Sequence, residues 1–364
     1  MAYRLLREFR QAFTRLDTPP LSIRHHPGSA IALLAGMQTY CGMHGLRLRP
    51  HIKTHKLPQL ARRQVELGAI GITCQKLGEA EVMAAAGLDD ILVSYPIIGE
   101  AKAARLAQLA RRATMRVAID NPLALATVAS AARQAGSPIG VLVEFDSGMR
   151  RTGVATPDDA LALARQVQAE PHLRLDGLLT YPSNVGSAAF VAEARSRFAA
   201  YGLPIDIVSG GGTPVMWQAH EIEGLTEYRI GTYAYHDRNT VAAGVATFAD
   251  CALTVLTTVV SRPAPDRAVI DAGSKTLSSD PASPEAGIGF GFLAAYPEAV
   301  IERLSEEHGM LDLSRCASRP ALGERVGIVP NHCCVVSNLH DEVSVVRDGE
   351  LVGSWPVAAR GRSR

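Results

Sequence analysis

The chain has 364 residues, with 37 Lys and Arg against 36 Asp and Glu, a formal net charge of +1 and 47% hydrophobic residues. That suffices for one domain of about 200 to 250 residues plus a smaller one, and it excludes a strongly basic nucleic-acid surface or a long charged tail. Six cysteines, adjacent only at Cys333 and Cys334, are too sparse for a disulfide framework, and no run approaches the ~20 apolar residues of a membrane span. The expectation is a cytoplasmic protein whose partner is a small molecule, with no nucleic acid and no membrane.

The first run, MAYRLLREFRQAFTRLD, sets arginines among apolar residues at helical spacing and lacks the apolar core of a secretory signal, so a short surface helix is expected. From about residue 20 to 240, strand-like runs alternate with helix-like segments. The strand candidates are LRPHIKT, AIGITCQ, DILVSY, MRVAID, GVLVEFD, LDGLLTY, IDIVSG and EYRIGTYAY; between them lie helices such as PLALATVASAARQA and PDDALALARQVQA. Eight such units suit a closed (β/α)8 TIM-type barrel, with an open doubly wound sheet as the alternative. After residue 245 β-branched runs take over: CALTVLTTVVSR, RAVIDAG, ERVGIVPN, CCVVSNL, EVSVVRDG and LVGSWPV. They predict a C-terminal antiparallel β domain, with Arg347-Asp348-Gly349-Glu350 as a hairpin turn. The predicted organisation is a segment over 1–20 packing on the C-terminal domain, an α/β barrel over 21–242, and the antiparallel β domain over 243–364.

Polar residues at strand ends are the chemical candidates in a barrel, because strand C-termini and their loops share one face. Arg49-Pro50-His51-Ile52-Lys53-Thr54-His55-Lys56 ends the first candidate strand. A lysine set beside other cations becomes a nucleophile toward carbonyls, although such a patch also suits a solvated face or an anion site. Thr73 and Gln75 end the second strand, Asp146 and Arg151 a later one, and Tyr181 the next. In Ser209-Gly210-Gly211-Gly212-Thr213-Pro214 consecutive glycines let backbone amides approach an anion ahead of a helix N-terminus; the run is a phosphate cradle or simply a turn. Arg229-Ile230-Gly231-Thr232-Tyr233 closes the last strand, where barrels often bind phosphate. His332 and Cys334 would face one side of a strand and could share a divalent metal, zinc being favoured by the thiolate; the alternative is an exposed histidine near a buried cysteine.

Taken together, RPHIKTHK, DSGMRRTG, SGGTP, EYRIGTY and PNHCC resemble the D-threonine aldolase and D-serine dehydratase group of pyridoxal phosphate (PLP) enzymes, which share the alanine racemase-like barrel of fold type III. The resemblance covers nearly the whole chain, from Leu16-Asp17-Thr18-Pro19 onward. It implies that Lys53, and not Lys56, anchors the cofactor covalently, and that Arg151 faces the pyridine nitrogen. It places Ser209, Gly210, Gly211, Gly231 and Thr232 in the phosphate-binding runs, Thr73 and Tyr181 near the cofactor, and His332 with Cys334 as the pair for Zn2+ or Mn2+. His55 is the catalytic histidine candidate beside Lys53, with His236 a further one, while Asp271, Ser274 and Lys275 shape a pocket or form a turn.

Relatives in this group carry Gly-His soon after the tyrosine, whereas this chain reads Tyr181-Pro182-Ser183-Asn184, so that histidine's role does not transfer. His-x-Cys, where some aldolases of the group have His-x-Asp, leans toward the dehydratase branch; GTYAYHDRNT, DAGSKTLSSD and SEEHG lean toward the aldolase branch. The implied activity is retro-aldol cleavage of D-β-hydroxy-α-amino acids to glycine and an aldehyde by a homodimer. Alternatives are a D-serine or D-3-hydroxyaspartate dehydratase, a racemase, and a non-catalytic PLP-binding protein.

Overall fold

A computed structural model describes residues 22–25, 27–347 and 350–364, with side chains described from residue 30 onward. The predicted N-terminal segment over 1–20 lies outside these residues. Two compact units emerge from the contacts: one holds Ala35–Lys53, Pro58–Gly231 and Arg362–Arg364, the other the described residues up to Leu34, Thr54–Leu57 and Thr232–Gly361.

Numbering strands in chain order, β1 (Ser22–His25) belongs to the second unit; the first is built on β2 (Arg47–Leu48), β3 (Ile72–Cys74), β4 (Asp90–Val93), β5 (Thr114–Ile119), β6 (Ile139–Phe145), β7 (Leu173–Thr180), β8 (Ile207–Gly211) and β9 (Glu227–Arg229). These eight pair in the order β2-β9-β8-β7-β6-β5-β4-β3, every pairing parallel. The curled sheet closes where Ile70 N donates to Leu48 O at 3.0 Å and Thr73 N to Pro50 O at 2.8 Å. The sequence-derived barrel is therefore the observed one.

Intervening helices show why the rhythm was readable. In Pro122–Ala135, Asn121 Oδ1 accepts from Ala124 N at 2.9 Å, proline occupies the first turn, and Gly136 ends the helix at φ 66°. Between those caps Ala124, Leu125, Val128, Ala129, Ala131 and Ala132 form the buried stripe.

The barrel interior mixes an apolar layer of Leu92, Ala118, Leu142, Leu179 and Ile207 with a charged one. Arg49, 1% exposed, donates from Nε to Glu227 Oε2 at 2.9 Å and pairs with Asp90, which also receives Arg116 Nη1 at 2.8 Å. Arg116 Nε reaches Asp176 at 2.9 Å. Gly140 makes room for this layer, because a Cβ there would stand 2.3 Å from Asp176 Oδ2 and 2.9 Å from Arg116 Cγ. Buried ions tolerate such a site only when each is paired and hydrogen-bonded.

In the second unit β1 and β10 (Leu253–Ala264), β11 (Arg267–Ile270), β12 (Phe292–Leu293), β13 (Val300–Leu304), β14 (Gly309–Asp312), β15 (Arg325–Val329), β16 (Glu342–Arg347) and β17 (Glu350–Pro356) form a sheet with spine β13-β14-β11-β10-β1-β16-β17. It is antiparallel except where β1 runs parallel to β16. Residues 22–25 thus join the C-terminal sheet and not the barrel, and the contact boundary falls at Thr232, ahead of the residue 242 expected from composition. A strand's backbone donors and acceptors carry no mark of the sheet they complete. β16 and β17 pair up to Arg347 opposite Glu350, while Asp348 and Gly349 of the expected turn lie outside the described residues.

One predicted strand is a helix. CCVVSNL reads as β-branched and apolar, yet Cys333–Leu339 is helical because Asp237 Oδ2 accepts from Cys333 N at 3.1 Å and caps its first turn.

Candidate active site

Lys53 sits in a 3-10 turn, Ile52–Thr54, and not in the strand extension that the sequence suggested. After β2 ends at Leu48, His51 bridges to Thr73 and then fixes the turn: its Nδ1 accepts from Lys53 N at 3.4 Å, while Nε2 contacts Gln75 Oε1 at 3.0 Å and Ser94 Oγ at 3.3 Å. The ring ties the Lys53 backbone to the ends of β3 and β4. Lys53 Nζ then lies 5.9 Å from the centre of the Tyr181 ring. Lys56, by contrast, is 7% exposed with a backbone φ of 56°, and its carbonyl accepts from Ala359 N at 3.2 Å.

Arg151 reaches the same tyrosine, its guanidinium carbon 4.9 Å from the ring centre. The loop that delivers it explains the spacing of Asp146-Ser147-Gly148-Met149-Arg150-Arg151-Thr152-Gly153. Asp146 Oδ1 accepts from Gly148 N at 2.9 Å and Arg150 N at 3.0 Å, folding the turn. Gly153 has φ 109°, and a Cβ there would meet Asp146 N and Phe145 C at 2.5 Å, so the position is restricted to glycine. Thr152 Oγ1 donates to Glu144 Oε1 at 2.7 Å. The other Glu144 oxygen is buried without a partner, and burial raises this carboxyl above the usual Glu range despite Thr152, Arg229 and Arg151 pulling the other way.

The glycine run divides its labour. Ser209 turns its hydroxyl into the barrel, donating to Glu227 Oε1 at 2.6 Å and accepting from Arg229 Nε at 2.8 Å. Gly210 and Gly211 are demanded by packing, since Cβ atoms would stand 2.7 Å from Ser183 Cβ and 2.2 Å from Arg229 O respectively. Gly212, at φ 139°, opens the 3-10 segment Thr213–Glu221 with no side-chain cap. Open amides at a helix start fit a phosphate. Thr73 is fully buried and gives its hydroxyl to Arg49 O at 3.1 Å, so only its position, in the middle of β3 and bridged to His51, keeps it beside the Lys53 turn.

In the second unit His332 and Cys334 do meet, through a helix start and not through strand alternation: His332 is the residue before the helix and Cys334 lies in its first turn. Asp237, 1% exposed, accepts from His332 Nδ1 at 3.1 Å. Cys334 Sγ lies 3.2 Å from Thr54 Oγ1 and 3.8 Å from Thr232 Oγ1. Thr54 follows Lys53 directly in the chain. The Cys333 side chain, the His332 charge and Thr54 together hold the Cys334 thiol well below its usual range; the thiolate in turn lifts His332 to about 11. At that value His332 is an imidazolium beside a thiolate, and a metal that displaced the imidazolium proton would find one imidazole and one thiolate, the donor chemistry of zinc. Among the described residues no group of three or more His, Cys, Asp or Glu is arranged to hold a metal, so the pair supplies two protein donors and leaves the remaining positions open.

His55 is fully buried; its Nδ1 accepts from Leu57 N at 3.0 Å and its ring packs edge-on to Tyr235 at 6.4 Å. His236, 1% exposed, contacts Thr240 Oγ1 at 3.3 Å, and burial lowers its affinity for a proton. Both environments suit packing better than proton transfer. The DAGSK run also divides: Asp271 accepts from Thr257 Oγ1 and, at 2.8 Å, from Thr258 N, while exposed Lys275 pairs with Glu306 and Glu307. Sequence reasoning gave no role of their own to Asp237, Glu227 or Arg229, although Arg229 opens the run expected to bind phosphate. Arg229 is buried, donating from Nη2 to Thr180 O at 2.6 Å, and its place in EYRIGTY was the only signal available.

Comparison with known proteins shows the family and the fold. The family described as "Alanine racemase, N-terminal domain" matches residues 32–239, more than half of the chain, and the one described as "Putative serine dehydratase domain" matches 252–346. A D-threonine aldolase of an Arthrobacter species is 38% identical over 96% of this chain and 94% of its own. The crystal structure of D-threonine aldolase from Filomicrobium marinum superposes with a TM-score of 0.85 at 33% identity, covering 95% of this chain and 97% of that one. The D-threo-3-hydroxyaspartate dehydratase of Delftia sp. HT23 gives 0.82 at 30% identity, covering 93% and 97%. A D-threo-3-hydroxyaspartate dehydratase has also been solved with a histidine replaced by alanine and, at the position two residues on, with a cysteine replaced by alanine, the latter in a metal-free form.

Proposed function

The chain belongs to the D-threonine aldolase and D-serine dehydratase group of alanine racemase-like pyridoxal phosphate enzymes, and from that membership we propose that it is an aldehyde-lyase cleaving D-β-hydroxy-α-amino acids to glycine and an aldehyde. The observation that carries this reading is the 38% identity to a D-threonine aldolase over 96% of the chain. The residues fit the group's cofactor: Lys53, Arg151 and Tyr181 come together, and the run from Gly210 to Thr213 ends in uncapped amides.

Lys53 Nζ would hold the cofactor covalently, its turn positioned by His51. Arg151 would face its pyridine nitrogen, and a guanidinium, which keeps its proton, would leave that nitrogen largely neutral. Gly212 and Thr213 offer backbone amides to its phosphate, and the Tyr181 ring supplies an apolar face. His332 Nε2 and Cys334 Sγ would hold a divalent metal, Zn2+ fitting the thiolate and Mn2+ the alternative. When bound, pyridoxal phosphate supplies an electron sink for charge left at the substrate α-carbon, and the metal supplies Lewis acidity to a hydroxyl. The partner is a D-β-hydroxy-α-amino acid, and a cytoplasmic homodimer is the form in which we place the enzyme.

A second reading, an ammonia-lyase acting on D-3-hydroxyaspartate or D-serine, is favoured by the histidine and cysteine two positions apart in a D-threo-3-hydroxyaspartate dehydratase. Product identity separates the two. Metal-stripped protein supplied with PLP, Zn2+ or Mn2+, and D-threonine yields acetaldehyde and glycine on the first reading, 2-oxobutanoate and ammonia on the second. Retention of PLP with no turnover of D-threonine, D-serine or D-3-hydroxyaspartate would leave a PLP-binding protein and refute both.

A further inference from the structure

One carboxylate reaches His332 and the amide that precedes Cys334. Asp237 Oδ2 accepts from His332 Nδ1 at 3.1 Å and from Cys333 N at 3.1 Å, the amide immediately before Cys334. Its other oxygen, Oδ1, accepts from Thr240 N at 2.9 Å, capping the helix Arg238–Ala242. The side chain is 1% exposed and therefore cannot swing away to water. The next two residues brace the surroundings: Arg238 donates to the carbonyls of Ala286, Ile288, Gly289 and Gly291 and to Asn331 Oδ1, and Asn239 Oδ1 accepts from Ser283 N at 2.7 Å. Asn331, adjacent to His332, donates to Asp280 O at 3.1 Å and Gly289 O at 2.9 Å.

We propose that Asp237 is the positioning residue for the metal pair, fixing His332 in the Nδ1–H tautomer so that Nε2 is left to bind metal, and anchoring the helix start that presents Cys334. An imidazole has two ring nitrogens, and only the one without a proton can ligate. A carboxylate has no proton to give, so opposite it Nδ1 must carry the hydrogen, and Nε2 is then the ligand. The same anion at the helix N-terminus satisfies an amide that the helix itself leaves open. Partners of this kind orient a ligand and raise its basicity. The inference rests on the proposed metal-dependent reading.

The test uses PLP-loaded, metal-stripped full chain titrated with Co2+ alone, reading the thiolate-to-cobalt absorbance. In Asp237→Asn the remaining oxygen can still cap Thr240, but an amide NH2 then opposes His332 Nδ1 and Cys333 N, favouring the other tautomer. The expected result is a Co2+ affinity lower by roughly 10- to 100-fold, with the lysine-bound PLP absorbance and the unfolding transition retained. Asp237→Asn binding Co2+ as tightly as wild type, while His332→Ala does not, overturns this inference and leaves the metal reading standing. Wild type taking up no Co2+ overturns both. Should Asp237→Asn fail to fold, nitrogen-15 histidine spectra of the zinc-loaded wild type decide, with His332 assigned by its loss in His332→Gln: a proton on Nδ1 is expected, and a proton on Nε2 contradicts the proposal.

Discussion

Lys53 Nζ stands 5.9 Å from the centre of the Tyr181 ring, and the Arg151 guanidinium shares that ring from 4.9 Å. An aromatic face near two cations contributes about 0.5–1 kcal/mol each where solvent reaches the site. Tyr181→Phe keeps that face and should hold PLP nearly as well as wild type. Tyr181→Ala removes it, and PLP affinity should fall several-fold in a fluorescence titration.

Gly153 is the hinge of the Arg151 loop. Its φ of 109° and the 2.5 Å approach of a Cβ to the backbone of Phe145 and Asp146 leave an alanine no relaxed conformation. Gly153→Ala should cost about 1–3 kcal/mol of loop strain, seen as weakened PLP retention on dialysis while far-ultraviolet circular dichroism stays native.

Glu227 satisfies Arg49 with one oxygen and Ser209 with the other. Removing it leaves the buried Arg49 with only Asp90, so Glu227→Ala should destabilise the chain by about 3–5 kcal/mol, measured by urea denaturation. A loss under 1 kcal/mol would mean that water or a neighbour neutralises Arg49.

Glu144 makes stability fall with rising pH. Its carboxyl is raised by burial, so the folded chain binds its proton more tightly than the unfolded chain. The stability this contributes is full below the ordinary Glu range and is lost as pH climbs through the raised folded value. Glu144→Gln keeps an acceptor for Thr152 and cannot ionise. The substitution should raise Tm near about pH 8 and leave it unchanged near about pH 4; an equal effect at both would show that charge is not the cause.

The barrel was legible because its helices carry their caps and stripes in sequence, as Asn121, Pro122 and Gly136 do around one of them. The run that holds Lys53 stood out too, since the cations around it lie together in sequence. What escaped notice depends on distant partners. Asp237 matters through His332, 95 positions later, and Arg49 through Glu227, 178 positions later; each alone reads as an ordinary surface charge. The helix Cys333–Leu339 was hidden by β-branched residues for the same reason, its cap coming from Asp237. His332 and Cys334 were expected to face one side of a strand and lie instead at a helix start, where one residue of spacing also brings side chains together.

The covalent position of the cofactor tests the account most directly. PLP-loaded protein is reduced with borohydride, digested and mapped by mass spectrometry, with Lys53→Ala and Lys56→Ala in parallel. The account predicts the reduced cofactor on Lys53 in wild type and in Lys56→Ala, and none in Lys53→Ala. Label on Lys56, or on Lys53→Ala at wild-type yield, would contradict it.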